Sequence, residues 1–244
     1  MMGSGIGMSR SAIVAIAMLV ALSSWSPTGA IASSSSATRH LHFAVVAEVN
    51  GQYAEWRCDK DDSKRAVLPK LVGSIRQRRS ALRAQGKALT TIVTGDFVGT
   101  SSVARHVLAS SDADIAELAS ALTRTDTMLY VVGNGELAHA PEHVNRFAAA
   151  LGSAGIPFGS VNLACDASRT ALCEAGGGRQ VINIDGVKVG FFGLQYDELV
   201  NRVSKSSLSG LTWQDPAEMT VKALQEVAEQ KVEFKVGVIH RGSH

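Results

Sequence analysis

The sequence predicts a single α/β domain, and three observations support this class. Four short apolar runs, rich in β-branched residues, each lead into a polar residue, which is typical of buried parallel strands. Between them lie longer segments whose apolar residues recur with helical spacing. One stretch of alternating residues around a turn predicts an antiparallel hairpin. The four runs are residues 42–47, 90–93, 128–132 and 234–239.

Composition limits the possible partners. The chain has 244 residues, 45% of them hydrophobic and 19% charged, which is enough apolar matter for one sizeable core. The formal net charge is only +2. Because only 5% of the residues are aromatic, platforms for base stacking are not expected. A small molecule is therefore favoured as the partner over a nucleic acid polymer.

The N-terminus has the pattern of a secretory signal peptide. Arg10 is the only charged residue before position 33, residues 12–22 are apolar, and residues 30–32 read A-I-A. The apolar run is too short to span a membrane. We therefore expect a signal peptide at 1–32, a flexible leader at 33–41, one domain at 42–244, and a secreted, periplasmic or extracellular protein. The alternative is an uncleaved anchor.

The elements follow in order along the mature chain. Asn50-Gly51 is a turn dipeptide after the first strand. Residues 67–84 have helical spacing, with a basic outer face that is either solvated or a phosphate-binding surface; the first is favoured. The pattern then predicts a strand at 90–93, helices at 103–109 and 112–123, a strand at 128–132, a helix at 141–154 and a short strand at 157–162.

The last third of the chain adds a hairpin, a helix and the final strand. The hairpin at 180–194 turns at D-G, and Asp215-Pro216 is a helix start with an N-cap and a first-turn proline. Spacing predicts that Val221, Leu224 and Val227 of that helix face inward. No internal repeat or linker interrupts the chain.

The three cysteines gain interest in an exported protein. Cys165 and Cys173 lie eight residues apart and could close a small loop in an oxidising compartment. Cys58 is then left over. Three unpaired thiols remain the alternative, because pairing cannot be deduced from sequence.

Chemistry-bearing residues stand where the four strands end. They are Glu48, Asp96, Asn134 and His240. The carboxyl edge of an open α/β sheet is where ligands bind, and these residue types offer oxygen and nitrogen donors to a divalent metal. One carboxylate can bridge two metals that clamp a phosphate, and Asp96 is the natural bridge.

Motifs in a fixed order carry a resemblance to a known family. Residues 48–51 read E-V-N-G, 95–96 G-D, 133–136 G-N-G-E, 184–194 I-D-G-V-K-V-G-F-F-G-L, 211–216 L-T-W-Q-D-P, and 238–240 V-I-H. In this order the chain resembles a calcineurin-like metallophosphoesterase of the secreted 5′-nucleotidase (2′,3′-cyclic phosphodiesterase) type. The resemblance extends from His42 to the last residue and covers the N-terminal catalytic domain of that type.

The resemblance implies a fold and a site. The fold is a four-layer sandwich of two mixed sheets flanked by helices, incomplete at the C-terminus. Two divalent ions (Zn, Mn, Mg or Fe) would be held by Glu48, Asn50, Asp96, Asn134 and His240, with Asp96 and Asn134 as the catalytic residues. The substrate would be a nucleotide or another phosphate ester.

Departures from the family pattern support a second hypothesis. Glu48 replaces an aspartate, and Asn50 and Gly135 replace histidines. The given sequence stops at His244, before the position of the family's G-H-x-H motif. These changes favour a catalytically inactive homologue that binds ligand or serves a structural role, in which the ions would be lost. His139 could replace the missing imidazole, although a surface position is favoured. A periplasmic ligand-binding protein unrelated to phosphate is the third hypothesis.

Overall fold

A computed structural model describes residues 38–52, 67–175, 177–196 and 199–241. The predicted signal peptide, most of the leader, Cys58 and the polar segment 59–65 lie outside these residues. The described part from His40 onward forms one compact unit. No helix within the described ranges is long and apolar enough to cross a membrane.

The elements alternate between strands and helices, as predicted. The strands are β1 Phe43–Val46, β2 Thr90–Val93, β3 Thr127–Val131, β4 Phe158–Gly159, β5 Leu163–Cys165, β6 Arg179–Ile184, β7 Val187–Gln195, β8 Leu211–Trp213 and β9 Phe234–His240. The helices are α1 Val67–Arg83, α2 Ser102–Ala109, α3 Asp112–Thr123, α4 Asn134–Leu137, α5 Pro141–Ser153, α6 Thr170–Glu174, α7 Leu199–Arg202 and α8 Pro216–Glu229.

Two sheets form the inner layers of a sandwich. The first is parallel, in the order β1-β2-β3-β4, and the second is mixed, with β7 antiparallel to β6 and parallel to β9. The prediction of two sheets between helices is confirmed, but the first sheet is parallel where two mixed sheets were expected. A separate antiparallel pair, β5 with β8, lies outside them.

Three apolar clusters hold the layers together. One joins α1, α2, α3 and α5 to the outer face of the first sheet. A second fills the space between the sheets, with Ile92, Leu129 and Val131 from the first packed against Val189 and Phe191 from the second. The third joins α8 to the outer face of the second sheet. Because apolar side chains of adjacent layers pack together in all three clusters, burial of apolar surface stabilises the arrangement.

Other sequence predictions find their outcome here. Cys165 and Cys173 form a disulfide bond. The basic face of α1 is largely exposed, and Arg79 forms an ion pair with Asp126. Large apolar side chains are exposed on the edge strands β1 and β9, namely Val45, Phe234 and Ile239.

Helix α8 buries a different face from the predicted one. Val221 is 57% exposed and Leu224 36%, so the prediction that they face inward is wrong. Val227 is buried as predicted, together with Met219 and Ala223. This stripe packs where β7 carries Gly190, at which a β-carbon would lie 2.0 Å from Val227 Cγ1. Val227 therefore packs directly against the backbone of β7 at Gly190.

Replacing Gly190 with alanine is expected to lower the free energy of unfolding by about 1–3 kcal/mol, because the added methyl group overpacks a filled interface. Chemical denaturation measures this change. The Gly190→Ala/Val227→Ala double variant should show a favourable coupling of about 1 kcal/mol or more between the two sites. Additive effects would contradict the direct contact.

Candidate metal centre

The predicted site residues come from both sheets. Asp96 follows β2, Asn134 follows β3, and His240 ends β9. Strands β2 and β3 are neighbours in the first sheet, whereas β9 is an edge strand of the second. Face-to-face packing of the sheets therefore brings His240 to the carboxyl ends of β2 and β3. The structure places these three side chains together.

His240 is oriented by a backbone carbonyl. Its Nδ1 lies 2.5 Å from the Thr94 carbonyl oxygen, an acceptor, so Nδ1 carries the proton that is donated. In the neutral imidazole, Nε2 then presents a lone pair. This Nε2 lies 3.1 Å from Asn134 Oδ1 and 3.6 Å from Asp96 Oδ1. The Thr94 carbonyl thus selects the tautomer that metal-ligating histidines use.

Asp96 is buried in a left-handed turn, with φ +50°. Its Oδ1 accepts a hydrogen bond from the Gly135 N–H at 2.6 Å. Burial raises the pKa of the Asp96 carboxyl, and the charges of Glu136 and Glu48 add to that effect. His240 and the Gly135 N–H act in the opposite direction. The ionised carboxylate is therefore held under an electrostatic penalty that a cation would relieve.

Backbone hydrogen bonds hold the loop of Glu48 and Asn50 beside this cluster. The Asn50 N–H donates to the Asp96 carbonyl at 2.7 Å, and the Glu48 N–H to the Gly95 carbonyl at 3.4 Å. Both side chains are exposed, and the Asn50 amide donates to the Glu48 carbonyl at 3.2 Å. Both residues have positive φ, near +51° and +52°. Their loop is positioned at the site, but their side chains are less enclosed than the other three.

The donor set of Asp96, Asn134 and His240 fits one divalent ion. With His240 neutral, its Nε2, the Asn134 amide oxygen and the Asp96 carboxylate oxygen are all electron-pair donors, and Nε2 lies near both oxygens. Their separations of 3.1 and 3.6 Å bracket the roughly 3.3 Å expected between ligands of a tetrahedral ion with bonds of about 2.0–2.1 Å. Within the described residues no three His, Cys, Asp or Glu side chains converge on one point, so the Asn134 oxygen is essential to this set.

Neither Gly135 nor His139 supplies an imidazole to the site. A β-carbon at Gly135 would lie 2.8 Å from Asp96 Oδ1, so the carboxylate occupies the space of a side chain there. His139 is buried rather than on the surface, and its Nε2 contacts the Gly99 carbonyl at 2.6 Å. Its imidazole is committed to the loop after β2 and does not replace the one missing at position 135.

Sequence reasoning missed Glu136, which is almost fully buried next to Asn134. Its carboxylate accepts from the N–H groups of Asp96, Val98 and Gly133. An acidic residue five positions after the end of a buried strand was the available signal, but its partners lie up to 40 positions away in the chain.

A surface cavity of about 380 Å³ lies elsewhere. It is lined by Thr90, Thr127, Asp126 and apolar neighbours, at the amino ends of β2 and β3. The candidate ligands are at the opposite ends of the same strands. The cavity therefore does not belong to the cluster of Asp96, Asn134 and His240.

Comparison with solved structures establishes the fold. A 5′-nucleotidase precursor from Thermus thermophilus superposes with a TM-score of 0.61 at 20% identity, over 82% of this chain and 37% of that one. The NAD nucleotidase of Haemophilus influenzae gives 0.61 at 17% identity, over 83% and 34%. A calcineurin-like phosphoesterase from Bacillus subtilis gives 0.64 at 13% identity, over 84% and 63%. This chain thus has the metallophosphoesterase fold of the 5′-nucleotidase type.

The likeness is one of structure. No family model matches the sequence, and neither does any curated protein. The chain spans about a third of the length of the two nucleotidases.

Proposed function

We propose that this protein binds a divalent metal ion through Asp96, Asn134 and His240 and hydrolyses phosphate esters of the nucleotide class. The observation that carries the proposal is the convergence of three lone-pair donors at the carboxyl edge of the first sheet. The fold supports the reaction class, because its structural neighbours include 5′-nucleotidases and a phosphoesterase. Imidazole and oxygen donors together favour Zn or Mn.

The residues of this chain would each have a defined role. Asp96 supplies the negative charge, and the Gly135 N–H fixes the orientation of its carboxylate. The Thr94 carbonyl holds His240 in the tautomer with a free Nε2. Asn134 supplies a neutral oxygen. When bound, the ion would supply electrostatic stabilisation of the charge on the phosphoryl group.

The resemblance implies a second ion near Glu48 and Asn50. An amide is a poorer donor than imidazole for a transition metal, and both side chains are exposed. We therefore expect this second ion to bind more weakly than the first. Since Gly135 offers no side chain to the leaving group, turnover should be slower by about 10²–10⁴ than with a general acid in place.

A binding protein of the same fold, without turnover, is the second candidate. The close packing of Asp96 against Gly135 favours it, because that space would otherwise hold a catalytic side chain. Such a protein would bind metal and nucleotide and release no phosphate.

Removal and return of metal test the proposal. The full chain is stripped with EDTA and titrated with Mn²⁺ or Zn²⁺ while bound metal is counted. Phosphate release is then measured from 5′-mononucleotides and a 2′,3′-cyclic mononucleotide. We expect one tight ion per chain, a weaker second, and slow release that disappears after stripping. A folded chain that binds neither ion would refute the proposal; tight binding without release would establish the second candidate.

Export is also part of the proposal. The N-terminal pattern supports it, as does the disulfide between Cys165 and Cys173, since such bonds persist in oxidising compartments.

A further inference from the structure

Glu136 receives four hydrogen bonds on one buried carboxylate. Its Oε2 accepts from the N–H groups of Asp96 at 2.9 Å and Gly133 at 2.8 Å. Its Oε1 accepts from the Val98 N–H at 2.9 Å and the Tyr130 hydroxyl at 2.7 Å. The residue is only 1% exposed. A carboxylate has about four lone-pair sites, so this one is saturated and has none left for a ligand.

The four donors come from two separate parts of the site. Asp96 and Val98 belong to the loop after β2, and Gly133 and Tyr130 to the end of β3 and its turn. Charge-assisted bonds of this kind are about twice as strong as neutral ones. The single atom Oε2 accepts one N–H from the loop after β2 and one from the turn after β3. It therefore fixes the distance between these two segments.

The site tolerates little change in that distance. A β-carbon at Gly133 would lie 2.2 Å from Asp96 Oδ1, and the Gly135 N–H reaches the same oxygen at 2.6 Å. A small shift of either loop would therefore break the contact that orients the Asp96 carboxylate. His139 also holds the loop after β2, because its Nε2 contacts the Gly99 carbonyl.

We propose that Glu136 is a positioning residue, which holds the Asp96 carboxylate and Asn134 in register for metal binding. The metal-binding part of this inference rests on the proposed function. Glu136 acts through backbone amides and touches neither metal nor substrate. Partners of this kind typically contribute about 10- to 100-fold to metal affinity.

The test compares two substitutions on the same carboxylate. Glu136→Gln keeps the size but turns one acceptor oxygen into an NH₂ group, which in either orientation faces at least one backbone N–H donor. Tyr130→Phe removes one hydrogen bond and leaves every loop amide held. Leu118→Ala removes a buried side chain from the helical layer and serves as a control for general loosening of the fold. All are measured as full chains at a temperature where each is folded.

Two measured quantities test the positioning role of Glu136. The first is hydrogen exchange of the Gly135 amide in the metal-free protein, and the second is the dissociation constant for Mn²⁺. In Glu136→Gln we expect exchange about tenfold faster or more, and Mn²⁺ affinity about 10- to 100-fold weaker. Tyr130→Phe should change either quantity by only a few-fold, and Leu118→Ala should leave the affinity unchanged.

The outcomes separate this inference from the proposed function. Wild-type exchange at Gly135 in Glu136→Gln would overturn the positioning role. So would an equal loss of Mn²⁺ affinity in Leu118→Ala. If the wild-type chain bound no Mn²⁺, the proposed function would fail, while the exchange rates would still decide whether Glu136 holds Asp96 in place.

Discussion

The Asp96→Asn variant is expected to bind Mn²⁺ more than about 100-fold more weakly than wild type, and yet to be more stable than the metal-free wild-type chain. The first effect should exceed that of losing a supporting hydrogen bond, because the only charged donor of the three is removed. The second follows because burial and the charge of Glu136 raise the pKa of the Asp96 carboxyl. Asparagine keeps an oxygen for the Gly135 N–H and carries no charge.

The stability gain has a defined dependence on pH. A raised pKa in the folded state means that the folded chain binds the proton more tightly than the unfolded chain. At acid pH both states are protonated and the penalty is absent. As the pH rises through the ordinary carboxyl value and then the raised one, the wild-type chain loses stability that the variant keeps. Thermal melts of the metal-free proteins over this range measure the difference.

Asp126→Asn is the matched control. Asp126 has nearly the same left-handed backbone, with φ +56° against +50°, but its side chain is 62% exposed and paired with Arg79. Its replacement should leave Mn²⁺ binding unchanged and cost no more than about 1 kcal/mol. Unchanged Mn²⁺ affinity in Asp96→Asn would place the metal elsewhere, and equal melting of both metal-free proteins at every pH would show that the carboxylate carries no penalty.

The regular elements could be predicted because their patterns were strong. Strand β2 and helix α3 have the predicted bounds, 90–93 and 112–123. The convergence of Asp96 and Asn134 also follows from elementary topology, since neighbouring parallel strands end at one edge. His240 was expected with them as the end of a fourth strand, but the sequence did not show that this strand belongs to the other sheet.

The buried face of α8 could not be predicted in the same way. Two apolar stripes run along this helix, one of Met219, Ala223 and Val227 and another of Val221 and Leu224. By spacing alone, either stripe could face the core. Val227 belongs to the predicted face as well as to the observed one, and its packing against Gly190 in the distant strand β7 is seen only in the folded chain. Such long-range complementarity is not visible in the local pattern.

The supporting residues of the site were hidden for a related reason. Glu136 and His139 lie in and just after α4, a helix of four residues that is too short to show periodicity. Their hydrogen-bond partners are loop amides and a carbonyl about 40 positions earlier. A sequence shows side chains, whereas these contacts join side chains to distant backbone. Only the folded chain reveals that both side chains are buried and already hydrogen-bonded.

Gly135→His, which restores the histidine of the resembled motif, is expected to weaken Mn²⁺ binding by about 100-fold and to add no turnover. A β-carbon at this position would lie 2.8 Å from Asp96 Oδ1 and 2.9 Å from Gly99 Cα. Gly99 is itself closely packed, since a β-carbon there would lie 2.4 Å from Asn50 Cα. The new side chain must therefore displace the Asp96 carboxylate from the Gly135 N–H.

Two further substitutions separate the steric effect from the chemistry of imidazole. Gly135→Ala carries the β-carbon alone and should lose nearly as much Mn²⁺ affinity as Gly135→His. Gly73→Ala, on the exposed face of α1 with nothing within 4 Å of the added carbon, should leave the affinity unchanged. If Gly135→His instead kept its metal and released phosphate about 10²–10⁴ times faster than wild type, the loop would be adaptable and the chain an enzyme that lacks one group. Loss of affinity in both Gly135 variants would mean that this glycine is part of how Asp96 is held.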